Sequence, residues 1–243
     1  MTRAGLLSVL LFVAAACSDP AKGSVAPKAD LSYDKALAAL TEGNERYAQG
    51  KSAHADSGVE RMKELADKGQ HPFAAVLGCA DSRVPPEEVF DRGLGDIFTV
   101  RVAGAVADVD EIGSLEYAVE HLKTPLVVVL GHTKCGAVTA VVKEEHAGGS
   151  IPQLVDNIVP AVQAVKRDHP DAKGEELVGM AVEANVLQSI YDLFRKSSVI
   201  REEVAAHKLK VVGAVYDIAA GKVKWLGEHP WQAEFLKAGE KEH

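Results

Sequence analysis

The order of apolar and polar positions divides most of this chain into alternating strands and helices. Two short runs contain only apolar residues: Phe73-Ala74-Ala75-Val76-Leu77 and Leu126-Val127-Val128-Val129-Leu130. Unbroken runs of this kind suit strands buried on both faces, as in a parallel sheet. Further strands are expected over residues 96–102 and 209–216, with a shorter edge strand over 222–226. Ser32 reads as an N-cap before a helix carrying Tyr33, Leu37, Leu40 and Tyr47 on one stripe. A short helix over 59–68 ends at Gly69. Pro85-Pro86-Glu87-Glu88 starts another, with proline in the first turn and acids at the positive end. Helices follow over 111–122 and from Gly136 toward Glu145, where Gly148-Gly149-Ser150 breaks the pattern. Two or three more lie between 151 and 208, with Pro170 and Gly174 marking a loop, and a last one starts near Pro230. Strands alternating with helices predict an α/β chain with a mostly parallel central sheet of four to five strands flanked by helices.

The N-terminus breaks this pattern. Residues 1–17 read as an export signal: Arg3 gives a positive start, and the apolar run 6–13 is too short to span a bilayer. Ala14-Ala15-Ala16-Cys17 then allows two kinds of processing. One is simple cleavage after a small-x-small site. The other is a lipoprotein signal with Cys17 lipidated as the mature N-terminus. Ala14 stands where a stronger lipobox has Leu, but a cysteine here has little other purpose, which favours lipidation. Residues 18–30, rich in Ala, Pro, Gly and Ser, suit a flexible tether. The expected location is therefore the periplasm, with membrane attachment only through the lipid. Residues 31–243 suit one domain with an ample core. The formal net charge of −8 argues against a nucleic-acid partner, which calls for a basic face.

Both apolar runs end in residues able to do chemistry. The first leads into Gly78-Cys79-Ala80-Asp81-Ser82-Arg83-Val84-Pro85, the second into Gly131-His132-Thr133-Lys134-Cys135-Gly136. Ligand sites of open parallel sheets collect at the carboxyl edge, so the two stretches can meet there. Cys79, His132 and Cys135 make a Cys2His set that suits zinc, with a fourth position left for water or substrate. Asp81 is the remaining candidate ligand, but the planar fork of Arg83 suits a bidentate grip on it. Such a grip keeps a carboxylate ionised and its pKa low. Zinc makes its bound water acidic, so the set points to an activated hydroxide and a small electrophile of unspecified identity. Blander readings use the same residues. Cys79 and Cys135 also suit buried thiols or, in an exported protein, a disulfide. Asp81 and Arg83 also suit a plain structural ion pair.

At these residues the chain resembles the β-class carbonic anhydrases, whose signature pairs Cys-x-Asp-Ser-Arg with a later His-x-x-Cys. Here these read Cys79-Ala80-Asp81-Ser82-Arg83 and His132-Thr133-Lys134-Cys135. The likeness runs over about 31–226 and includes Val100-Arg101-Val102-Ala103-Gly104, Ser114-Leu115-Glu116-Tyr117-Ala118-Val119 and Glu183-Ala184-Asn185-Val186. The resemblance implies the β-carbonic anhydrase fold, with Cys79, His132 and Cys135 as ligands of one Zn2+ per chain. It implies Asp81 and Arg83 as a catalytic dyad, and reversible hydration of carbon dioxide to bicarbonate and a proton. In the plant-like type, the substrate-binding residues match Gln70, Phe98, Tyr117 and the backbone N–H of Gly136. The other type has a regulatory bicarbonate pocket built on a Trp where Val76 stands, with Arg101 and Tyr216 near its other corners. The plant-like type with an open zinc site is therefore expected. Ala105 stands where many relatives carry Asn.

The family also implies a homodimer or tetramer, with the pocket at a subunit boundary that Gln70 and Tyr117 serve. Plainer roles are available to each of these residues: Gln70 as a solvated loop residue, Phe98 and Tyr117 as core, Arg101 as a brace. His71, beside Gln70, suits a solvated residue or a proton shuttle. Two other functions compete. One is hydrolysis of a carbon dioxide analogue, carbonyl sulfide or carbon disulfide, which relatives with the same ligands carry out. The other is a non-catalytic zinc- or bicarbonate-binding module, which would be expected to lack Asp81 or Arg83; both are present.

Overall fold

The computed structural model describes residues 31–53 and 56–239. The export signal, Cys17 and the tether lie outside the described residues. The chain runs α1 (Tyr33–Ala48), α2 (Val59–Lys68), β1 (Ala74–Gly78), α3 (Pro86–Val89), β2 (Ile97–Arg101), a 3-10 turn (Ala103–Ala105) and α4 (Val109–Glu120). It continues through β3 (Leu126–His132), α5 (Gly136–Val142), α6 (Ile151–Val155), α7 (Val159–Asp168), α8 (Gly174–Lys196) and α9 (Ser198–Ala205). β4 (Lys210–Asp217), β5 (Lys222–Gly227) and α10 (Gln232–Gly239) complete it.

The five strands form one sheet in the order β2-β1-β3-β4-β5. β1 to β4 are parallel and β5 returns antiparallel beside β4. From β1 the chain moves outward to β2 and then comes back across to β3. The boundary between β1 and β3 is thus the point where strand order reverses, and in doubly wound sheets the crevice opens there, outside the carboxyl ends. Gly78 pairs with Arg101 on one side and Leu130 on the other, so the stretches after β1, β2 and β3 emerge level.

Alternation within the strands explains their unbroken apolar runs. Ala75, Leu77, Val127, Val129 and Val211 face a layer built from α4, α5, α7, α8 and α9. Ala74, Val76, Val128, Leu130 and Val212 face α1 and α3. With helices on both sides, neither face of the sheet has a use for polar residues. The longest helix, α8, sits close on the sheet because Gly131 and Gly213 leave room. A Cβ at Gly131 would lie 2.6 Å from Val186 Cγ2, and one at Gly213 would lie 2.8 Å from Val186 Cγ1.

Several boundaries differ from the sequence expectation, each for a local reason. β3 extends two residues past Leu130, because its pairing with β4 continues to His132 opposite Tyr216. α4 begins at Val109 rather than 111, because Asp108 and Glu111 form a reciprocal capping box. α5 stops at Val142, short of Glu145, where Glu144 takes a left-handed φ of 56°. Four helices, not two or three, fill the stretch from Ile151 to Ala205. Ser32 does precede α1, but its side chain makes no capping hydrogen bond.

Candidate metal centre

Cys79 leaves the end of β1 on a loop with little freedom. Ala80 N–H donates to Val102 O at 3.1 Å, and Val102 N–H donates to Gly78 O at 3.1 Å. Arg101 reaches over from β2, its Nε donating to Cys79 O at 2.9 Å and its Nη2 to Asp81 O at 2.6 Å. The Cys79 sulfur accepts from Gly104 N–H at 3.3 Å and from Asp81 N–H at 3.4 Å.

The second stretch starts on β3 itself. His132 is 1% exposed. Its Nδ1 lies 2.9 Å from Thr133 O, a contact that requires the proton on Nδ1. Nε2 is then left as the acceptor, and it is buried without a hydrogen-bond partner. Thr133 N–H donates to Tyr216 O at 2.9 Å, pinning the chain to β4. Lys134, exposed, turns the chain with a φ of 56°, and Cys135 follows as the N-cap of α5.

These three side chains converge. Their donor atoms all lie within 4.8 Å of one another, the one such His/Cys/Asp/Glu cluster among the described residues. They line a cavity of about 10 Å³ together with Gly104, Gly131 and Asn185, room for a single ion-sized or water-sized occupant. Both cysteines are free thiols, which overturns the disulfide reading. The closeness of the two sulfurs is the main cause that holds the Cys79 thiol low and pushes Cys135 up. Ionising both sulfurs in this buried place needs a cation. The lone pair of His132 Nε2 supplies the third donor such a cation wants. The donor set therefore fits zinc.

Asp81 stands beside this cluster rather than in it. Arg83 Nε donates to Oδ1 at 2.9 Å and Nη2 donates to Oδ2 at 2.7 Å, while Arg83 N–H adds a bond to Oδ1 at 3.0 Å. This grip holds the Asp81 carboxyl well below the usual carboxylate range. Oδ2 lies 3.9 Å from His132 Nε2. Arg83 Nη2 also donates to Lys134 O at 3.3 Å, tying the two ligand-bearing stretches together.

The substrate residues expected from the resemblance lie elsewhere on the single chain. Gln70 is exposed on the loop after α2. Phe98 is half-buried on β2, and Tyr117 on α4 is 47% exposed, their ring centroids 6.1 Å apart. None of the three lines the metal cavity. Gly136 is the first residue of α5, directly after Cys135. Val76 and Tyr216 are buried in the core on the α1 side. Three residues at the centre had no role assigned from sequence: Gly104, Asn185 and Ser189. A signal existed for the last two, since both are polar residues one turn apart on the apolar inward face of α8, between Val182 and Ile190.

Fold and site together define a doubly wound α/β metalloprotein with a Cys2His centre at its switch point and an arginine-held carboxylate next to it. The family model described as carbonic anhydrase matches residues 74–223. Carbonic anhydrase 2 of Mycobacterium tuberculosis is 41% identical over 188 residues, covering 76% of this chain and 88% of the relative. Among solved structures, the β-carbonic anhydrase CafA of Aspergillus fumigatus superposes with a TM-score of 0.68 at 31% identity, over 86% of this chain and 98% of that one. A structure from work on two tetrameric β-carbonic anhydrases of Sordaria macrospora gives 0.62 at 27% identity, over 79% and 96%. The chain belongs to the carbonic anhydrase family, in its β class.

Proposed function

We propose that this chain catalyses the reversible hydration of carbon dioxide to bicarbonate and a proton, at one zinc held by Cys79, His132 and Cys135. The observation that carries this reading is the convergence of these three donors with Asp81 alongside but occupied by Arg83. Zinc bound there supplies Lewis acidity that makes water a usable nucleophile near neutral pH, an effect for which carbonic anhydrase is the standard example. The residues of the chain do the rest. Cys79 and Cys135 present anionic sulfur, and the Thr133 carbonyl fixes the ring of His132 so that Nε2 faces inward. Asp81, kept ionised by Arg83, is an acceptor at Oδ2 for the proton of the attacking water. Burial of all three donors excludes competing solvent from behind the site.

Zinc content and stopped-flow carbon dioxide hydration, measured on one purified sample, test this. One zinc per chain with hydration activity is the expected result; stoichiometric zinc without turnover would instead favour a binding module.

The finer reading is a plant-like enzyme working as a homodimer or tetramer. In support, β2 is an edge strand, Tyr117 beside it is 47% exposed, and Val109 and Met62 are 75% and 55% exposed. A second copy covering this side would bury them and carry Gln70, Phe98 and Tyr117 into a shared pocket. Val76 in place of Trp speaks for the plant-like type, as does the use of Arg101 on two loop carbonyls. Export to the periplasm with a lipid on Cys17 completes the reading. No helix among the described residues is long and apolar enough to cross a membrane. Membrane fractionation of the full-length product, abolished by Cys17→Ser, is the expected behaviour.

A further inference from the structure

The two hydrogen bonds to the Cys79 sulfur have different origins. Asp81 N–H belongs to the same loop, two residues on. Gly104 N–H comes from the turn after β2, and the carbonyls of that turn are held by α8. Asn185 Nδ2 donates to Gly104 O at 2.7 Å, and Ser189 Oγ donates to Ala105 O at 3.0 Å. The spacing of four places both side chains on one face of the helix. They are 3% and 2% exposed.

Every part of this arrangement is constrained. Gly104 has a φ of 79°, a left-handed conformation that favours glycine, and a Cβ there would lie 2.7 Å from Ile158 Cδ1, which would have to shift. Val186, next to Asn185, is seated over Gly131 and Gly213, which sets the height and register of α8. Asn and Ser are weak helix formers, and burying them costs stability unless they are hydrogen-bonded. Their place between Val182 and Ile190 therefore calls for a benefit that an apolar pair would not give.

We propose that Asn185 and Ser189 are positioning residues for the metal, which act by fixing Gly104 so that its N–H draws charge from the Cys79 thiolate. The inference rests on the reading of Cys79 as a zinc ligand. A hydrogen bond from an amide to an anionic sulfur is charge-assisted. It orients the sulfur and stabilises the anionic form that a metal requires, and loss of such outer partners weakens metal binding. Cys135, by contrast, is the N-cap of α5. The Cys79 sulfur depends on a distant element for the Gly104 N–H.

The test compares the zinc-loaded wild type with Asn185→Leu, Ser189→Ala and Ser189→Thr. Zinc affinity is read by chelator competition, and the cobalt(II)-substituted proteins are read by absorption. Asn185→Leu should weaken zinc binding by about 10- to 100-fold. Ser189→Ala should weaken it less, and Ser189→Thr, which keeps the hydroxyl, should stay near the wild type. The sulfur-to-cobalt charge-transfer band should move to lower energy in Asn185→Leu and Ser189→Ala, because a thiolate released from its N–H partner donates more readily. A purely structural role would lower the melting temperature and leave the band in place. Affinity within about 2-fold of wild type for Asn185→Leu, or an unmoved band in folded Asn185→Leu and Ser189→Ala, overturns the proposal. Should Asn185→Leu fail to fold, the Ser189→Ala and Ser189→Thr pair decides by the same two readouts. If the wild type itself takes up no zinc, it is the zinc reading that falls, and the two failures are thereby told apart.

Discussion

The carboxyl ends of β1 and β3 and the outer side of β2 contrast sharply within one chain. At the first place Cys79, His132 and Cys135 are 4%, 1% and 3% exposed, and hydrogen bonds from β2, β4 and the Gly104 turn hold the segments that carry them. At the second, Tyr117 and Gln70 face solvent, and Phe98 is only half-covered. The three candidate donors come together within a single copy, whereas Gln70, Phe98 and Tyr117 lie outside their cavity and are partly or fully open. The difference follows from what each region asks of its surroundings. Buried charge and unpaired nitrogen must be compensated by the chain's own groups. Half-exposed aromatic surface carries no such penalty.

The largest effect is expected from removing a donor. Cys135→Ala should lose stoichiometric zinc together with hydration activity, while the fold, which rests on the two core layers, stays intact by circular dichroism. Retention of one zinc per chain would show that the buried cluster is not the ligand set. Asp81→Asn comes next. It should keep zinc yet lower turnover by about 10²-fold or more, the usual share of a positioned proton acceptor. Unchanged hydration rates in a zinc-replete variant would take Asp81 out of the chemistry and leave Arg83 as a structural partner only.

Tyr117→Glu addresses the open side of the comparison. Truncating an aromatic that acts as an interface hot spot costs ~2 kcal/mol or more, and tyrosine is enriched at such positions. If the proposed oligomer forms on this side, it should therefore dissociate at protein concentrations on the order of 10-fold higher than for the wild type, a factor that such a cost more than covers. Zinc should remain at one per chain, since Tyr117 does not line the metal cavity. Sedimentation velocity alongside metal analysis reads both. A variant that is monomeric, zinc-loaded and fully active would mean that the outer side of β2 contributes nothing to catalysis.

The two regions also differ in how far sequence alone revealed them. The strands and the three donors were legible because buried strands leave unbroken apolar runs and because few residue types can bind zinc. The level emergence of Cys79 and His132 was foreseeable from parallel strands. The extension of β3 to His132 was not, because it depends on pairing with β4 some eighty residues later. The start of α4 was written in Asp108-x-x-Glu111, a capping signature available in the sequence. The clamp by Asn185 and Ser189 was out of reach, because a buried Asn in a helix declares that it has a partner without naming Gly104. Exposure of Tyr117 was equally hidden, since an aromatic at helical spacing reads the same whether its own core or a second copy covers it.

The smallest effect is expected away from both regions, and it sets a baseline for reading acid titrations of the metal centre. His229 precedes α10 and packs on Phe235 with ring centroids 4.8 Å apart, while Phe235 lies against Tyr191 and Phe194 of α8. Trp231 N–H donates to His229 Nδ1 at 3.1 Å, which requires that nitrogen to be unprotonated. Burial pushes the His229 pKa below its ordinary value of 6.5. With the folded value the lower one, its contribution to stability is present in full above pH 6.5 and is lost as pH falls through the folded value. Glu228 is adjacent, but its carboxylate accepts from the Gln232 amide at 3.2 Å. Amide hydrogen exchange over 232–239, corrected for the intrinsic pH dependence, should therefore speed up in mild acid, and His229→Gln should flatten that response. Equal protection in the wild type at pH 7.5 and 5.5 would refute this. Because α10 rests on α8, the helix that holds the Gly104 turn, any acid-driven loss of zinc is best compared between the wild type and His229→Gln. The part that persists in the variant does not come from α10.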